Sequence, residues 1–440
     1  MEKNTLLLHD TEAFMRGELD NVTVAEGCIV LDPVQGSYVP YGCYTSAALP
    51  MPLFDELWVS WNVATPPGTA VEAQARVMVD GNWSAWVGFG RWSTHLRRES
   101  VPPRERGPLR MGPDALRLDS KCATQAQLRI YLYTKNEKTT PAVRLLGVSV
   151  RRVDAIPARG RPVNRSLHLM PYVVGRRAPA LRPWMDLAIG LASLTNRWGA
   201  DLLPEEFAQV LRDWRAPAEG DPRNLAFAAA AAGCWGFPAW ISWCGLATLR
   251  DEIRAGCGTL VALGSTPAQM ASGWPERRFV TVRGFRMGAG AGKVLLCDPW
   301  AGENDFDAET EMELDDFLVA WDNVALLMRP RPAANMQGGP VRDSVRPRPA
   351  GPVAPGVCRL YRGGELHLLD ADFCANGGVL AWSTPDGRPH ATTAHRTFHF
   401  VEPEAGGVRL DPKDPEKTSQ KYTVYAVDTA GGMLVGDVTI

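Results

Sequence analysis

The sequence predicts a multidomain α+β protein: an all-β sandwich first, a mixed helix-and-strand region next, and a small β domain last. Three observations predict it. Residues 1–155 carry short alternating apolar runs broken by Pro, Gly and Asn. From 166 to 330 the period changes to helices followed by strands. Residues 331–355 are rich in proline and arginine with no apolar period, which reads as a semi-rigid linker.

In the first region ELWVSWNVAT, AQARVMVDGNWSAWVGFG, AQLRIYLYTK and AVRLLGVSVRRV are the strand candidates. Alternation directs Trp61 and residues of its parity inward. Among Trp58, Trp61, Trp83, Trp86 and Trp92, core packing is expected for most, and a subset could form a stacking platform for sugar. The segment IPARGRPVNR (156–165) marks a boundary.

The middle region opens with a helix from Pro183 to Asn196 or Arg197, apolar almost all round and therefore expected to be buried. Pro204, Glu205 and Glu206 start a second, because proline suits the first helical position and acids there complement the dipole. The alanine run 226–232 closed by Gly233 gives a third, and Leu246 to Ala255 closed by Gly256 a fourth. Strands are predicted at 258–263, 278–285 and 293–298, then a helix from Leu314 to Asp322 and a strand from Val324 to Met328. GAGAG at 288–292 lacks the GK[ST] ending of a phosphate loop and reads as a hairpin turn. Residues 356–440 alternate again with turn signals, the pattern of a small immunoglobulin-like domain.

Composition narrows the function. With 47 basic and 49 acidic residues the net charge is −2, so no global field recruits nucleic acid or an anionic membrane. The N-terminus lacks the order of a signal peptide and no apolar run approaches the ~20 residues of a membrane span, so a cytoplasmic location is the expectation. Nine cysteines without a CxxC pair fit reduced thiols better than disulfides or zinc. No cofactor and no metal are expected. A metal site from His390, His395 and His399 with Asp370 or Asp372 can be drawn, but half-exposed strand histidines are the commoner outcome.

Several segments of the first 330 residues carry a resemblance. NRWGADLLPEEFA (196–208), NLAFAAAAAG (224–233), LRDEIRAGCGTLVAL (249–263), VRGF (282–285) and DPWAG (298–302) resemble bacterial cysteine peptidase family 39 and its relatives. WNVATPPGT (61–69) and GRW (90–92) resemble the β sandwich that accompanies such domains. The resemblance implies a papain-like α+β fold for 166–330. It also implies a site with a cysteine at a helix start, a histidine on the facing sheet, and an Asp or Asn one hairpin later.

Carried over residue by residue, the cysteine position is Asp186, counted back from Arg197 and Trp198, and DLAIG stands where the family has a CSPTS-like stretch. No cysteine lies between Cys122 and Cys234 to rescue it. The histidine position falls on the pair Arg277 and Arg278, and the third member survives as Asp298. Arginine stays protonated and cannot serve as a general base, so the inherited hydrolysis is expected to be absent.

The expectation is an ion pair of Asp186 with Arg278, with Asp298 as a second acceptor. Its bland alternative is a solvated first-turn acid and a surface arginine. The leading function is a catalytically degenerate peptidase-like protein that binds a peptide, a protein or another copy of itself. The alternatives are a hydrolase with a relocated nucleophile, Cys234 or Cys244 with His168, or acid chemistry from Asp186 and Asp298, and a glycan binder working through its β domains. Cys297 and Cys257 are read as buried, inert thiols.

Overall fold

In the computed structural model the described residues are 4–330 apart from 113, 178–180, 201, 214–220, 222 and 289–291, together with eight strands between Val357 and Thr439. The expected linker 331–355 lies outside them. The described residues within Met1–Leu169, Asp213–Asp298 and Glu309–Arg346 form one compact unit, and those within Met170–Arg212, Pro299–Ala308 and Pro347–Ile440 a second.

The chain is largely β, with a minority of short helices. The N-terminal region builds a 14-stranded sheet in which one long strand, Leu49–Ala64, is shared between layers. Its beginning pairs with Ala123–Thr134 and the stretch from Phe54 to Ala64 pairs with Ala142–Arg152. Thr69–Val79 completes the first layer against Ala123–Thr134. Burial departs from simple alternation: every residue of Leu49–Ala64 from Leu57 onward is buried, so both faces of the strand are covered there.

The reason lies in the second sheet of the same unit. It has seven strands, and its pairings are antiparallel. Its path runs Ala239–Trp243, Trp321–Met328, Thr259–Gly264, Arg277–Arg286, Lys293–Cys297 and Glu309–Glu313. Ala239–Trp243 is the edge strand, and an edge presents backbone groups without a strand partner. Polar side chains of the sandwich cover it. Ser60 Oγ accepts from Ile241 N–H at 2.8 Å and Ser149 Oγ from Trp243 N–H at 2.8 Å. Asn62 accepts from Ala239 N–H at 3.0 Å and donates to Ala239 O at 2.8 Å and Ala229 O at 3.1 Å. Alternation alone would leave Ser60 and Asn62 in solvent, whereas they are the hydrogen-bonding seam of the unit.

One face of this sheet is closed by the helices Leu246–Ala255 and Leu314–Ala320. Leu249, Ile253 and Phe317 meet Val261, Leu263, Val280, Val282 and Leu296 in a buried cluster. Leu246–Ala255 ends where its glycine predicts: Gly256 sits at φ 84° and closes the helix.

The alanine-rich helix is corrected. It runs Leu225–Cys234, starts from Asn224 as N-cap, and keeps Gly233 inside. The left-handed stop is Gly236 at φ 82°, with Phe237 N–H reaching back to Ala232 O. Gly233 is a packing residue, since a Cβ there would lie 2.5 Å from Asn62 Cβ. The last helix also stops early, at Ala320, where Trp321 begins the strand Trp321–Met328.

In the second unit the helix Arg182–Asn196 carries proline in its first turn and is buried from Trp184 to Thr195. The helix Pro204–Leu211 follows, with Glu206 accepting from Leu203 N–H at 2.9 Å. Asn196 joins the two, donating to Leu202 O and accepting from Leu202 N–H, both at 2.7 Å. The strands beyond residue 356 form two four-stranded sheets, and Val357–Tyr361 pairs in parallel with Gly407–Leu410.

Candidate functional site

The hairpin Arg277–Arg286 and Lys293–Cys297 pairs Thr281 with Cys297 and Arg286 with Lys293. Continuing the register opposes Asp298 to Val280, which leaves Arg278 its diagonal neighbour on the same face. The geometry follows: Arg278 Nε donates to Asp298 Oδ2 at 2.9 Å, and the two side chains are only 3% and 5% exposed. Nη1 donates to Gly264 O at 2.9 Å and Ser265 Oγ at 3.2 Å, and the Trp274 ring lies 5.1 Å from the guanidinium carbon. This cation is thus held by a carboxylate, a carbonyl, a hydroxyl and an aromatic face, and it has no basic lone pair to offer.

Arg277 points the other way, as a strand requires. Its Nη2 lies 3.2 Å from Asp114 Oδ2 and its guanidinium stacks 4.9 Å from the Phe279 ring. Burial works against its charge, but the carboxylates of Asp114, Asp322 and Asp221 outweigh it and hold the pKa above its ordinary value.

Asp186 belongs to the second compact unit. It lies in the first half of Arg182–Asn196 and is 1% exposed. Leu187 N–H donates to its Oδ1 at 2.8 Å and Trp300 Nε1–H to its Oδ2 at 3.1 Å, while Arg182 lies over the Trp300 ring. Neither Asp186 nor Arg278 is a solvated surface charge, so the bland alternative fails on burial. In the first unit the structure brings Arg278 and Asp298 together and adds Trp274 and Ser265 beside Arg278 and Asp114 beside Arg277, which sequence reasoning missed; in the second it sets Trp300 against Asp186. Only WAG after Asp298, in the segment DPWAG, had drawn attention to Trp300; the others have no local signal.

The remaining candidates separate by environment. Cys234 and Cys244 are buried, and Cys234 Sγ donates to Val63 O at 3.4 Å. Burial pushes the Cys234 and Cys297 thiols up to about 12. Those are core thiols, the opposite of an activated nucleophile. His168 is exposed. In native full-length protein at neutral pH, dilute iodoacetamide is expected to leave Cys234, Cys244, Cys257 and Cys297 unlabelled while half-buried Cys28, Cys43 and Cys122 react slowly. One fast-labelled member of the buried four, located by peptide mass mapping, would overturn this.

Trp58, Trp61 and Trp92 are buried. Trp83 and Trp86 are half-buried, with Arg76 4.8 Å and 4.7 Å from their ring centroids and Arg129 4.1 Å from that of Trp86. Arginines already lie over rings that a sugar would need. His390 and His399 fall on strands of different sheets, Pro389–Thr392 and Phe398–Phe400. His395 and Asp372 lie outside the described residues, as does the centre of the GAGAG turn. Among the described residues no three His, Cys, Asp or Glu side chains group as a metal site.

The first unit thus combines a β sandwich with an antiparallel seven-stranded sheet whose hairpin holds a buried Arg–Asp pair. Residues 7–150 match the family model described as the peptidase C39 N-terminal domain, so the N-terminal region is a domain related to that family. A comparison with curated proteins finds no match to the chain.

Proposed function

We propose that this protein is a cysteine-peptidase-like chain without hydrolytic chemistry, working as a peptide- or protein-binding module. In this reading residues 166–330 are a papain-like domain, 356–440 an immunoglobulin-like one, and Asp186 and Arg278 occupy the former cysteine and histidine positions. One observation carries the reading: the residue at the histidine position is a buried arginine ion-paired with Asp298. A fixed cation beside a carboxylate can recognise charge or a carbonyl but cannot accept a proton from a nucleophile.

The test is incubation of the full-length protein with a mixed peptide library carrying photo-crosslinkers. New peptide termini are read by mass spectrometry, and crosslinks are mapped on the chain. The expected result is no cleavage, with crosslinks on 182–196 or 277–300. Cleavage abolished by thiol alkylation would overturn the non-hydrolytic reading. Crosslinks absent from both segments would overturn the binding role of the hairpin region.

A further inference from the structure

The first compact unit contains a cavity of about 360 Å³, remote in sequence from the Arg278 hairpin. It opens between the strand Ala142–Arg152, the end of the helix Leu225–Cys234 and the turn into Ala239–Trp243. Its size falls at the small end of the ~300–1,000 Å³ range of small-molecule sites. The walls are mostly apolar: Leu7, Leu145, Phe237, Pro238 and Trp240.

The polar content is narrow. Asn62 reaches the cavity, but its amide is already committed to Ala229 and Ala239. His9 is exposed and lies 4.0 Å from Asp10. Arg144 is the cation of the wall, half-buried, and among the described residues it forms no ion pair. Its Nη1 is buried without a hydrogen-bond partner, and so is the Trp240 Nε1–H. The thiol of Cys28 lies close enough to interact with Arg144, yet burial raises the Cys28 pKa, so it stays protonated and supplies no countercharge. A partly desolvated guanidinium with no anion is costly, and both orphaned groups are donors. A ligand that completes this wall must bring an acceptor with negative charge and an apolar body.

We propose that this cavity binds a small monocarboxylate with an apolar aliphatic or aryl body, its carboxylate paired with Arg144 and assisted by the Trp240 indole N–H. A guanidinium fork fits carboxylate and phosphate alike, but one cation balances a single negative charge, which favours a monocarboxylate over a phosphate dianion. The apolar body lies against Leu145, Phe237 and Pro238. The site is independent of the reading of the Arg278 hairpin.

The experiment uses the full chain with hexanoate and phenylacetate as probes, hexanamide and phenylacetamide as neutral counterparts, and ligand-observed NMR as the readout. Both carboxylates are expected to bind at least about tenfold tighter than their amides, the effect of one charge-assisted contact. Arg144→Gln should lose that preference, Arg144→Lys should keep part of it, and Trp240→Phe should weaken both acids several-fold. Equal binding of acids and amides would overturn the proposal, as would acid affinity unchanged in Arg144→Gln or no acid binding at millimolar concentration. Arg144→Lys guards against a folding defect, because a folded lysine variant that keeps no preference for acids over amides also overturns the proposal.

Discussion

Replacing Asn62 with alanine is expected to destabilise the protein by about 3–4 kcal/mol, since buried groups stripped of their partners cost ~1–3 kcal/mol each. Three hydrogen bonds disappear together: those to Ala229 O and Ala239 O, and the one received from Ala239 N–H. Asn62 is 3% exposed and Ala239 is fully buried, so water does not simply take over. The helix cannot slide in to fill the gap without moving Gly233, which rests on Asn62, or Phe227, whose ring meets Trp61 at 6.2 Å and Trp92 at 5.3 Å. The check is the urea midpoint of the first unfolding transition, with the slope held constant. A loss below about 0.5 kcal/mol, within the range of an ordinary surface substitution, would show that the edge strand does not depend on this seam.

Replacing Arg278 with methionine is expected to cost about 3–5 kcal/mol, the usual penalty when one member of a buried ion pair is removed. Asp298 loses its guanidinium, and Gly264 O and Ser265 Oγ lose their donor. The double variant Arg278→Met with Asp298→Leu removes the stranded charge as well and should recover most of the loss. Denaturation of both variants decides the matter. If the double variant is no better than the single one, the penalty comes from packing around Trp274 and the 264–265 turn and not from an uncompensated charge.

Much of the local structure was legible in the residues. Pro204 with two acids, Leu246 to Ala255 with its closing glycine, and the two runs around RMGAGAG each carry their own start or stop signal, and the structure places helices and a hairpin there. The pairing of Arg278 with Asp298 was also legible, because the register of one hairpin needs no distant contact. Less legible was AWISW at 239–243, a strand too short to announce itself. Gly233 misled for a physical reason: glycine ends helices, but it also permits close approach, and only the neighbour Asn62 distinguishes the two uses.

The sequence by itself determined the order of β, mixed and β regions and the chemistry that positions 186, 278 and 298 can offer, since propensity, caps and protonation state are properties of nearby residues. Tertiary structure alone decided how those residues are solvated. Ser60 and Asn62 alternate as surface residues yet cap a sheet edge more than 170 positions away. Asp186, Arg278 and Asp298 would be ordinary charges in water, but burial leaves Arg278 and Asp298 bound to each other and Asp186 to the Trp300 indole. Burial has this power because a desolvated polar group must find a partner in the fold, and no local pattern reveals which distant residue supplies it.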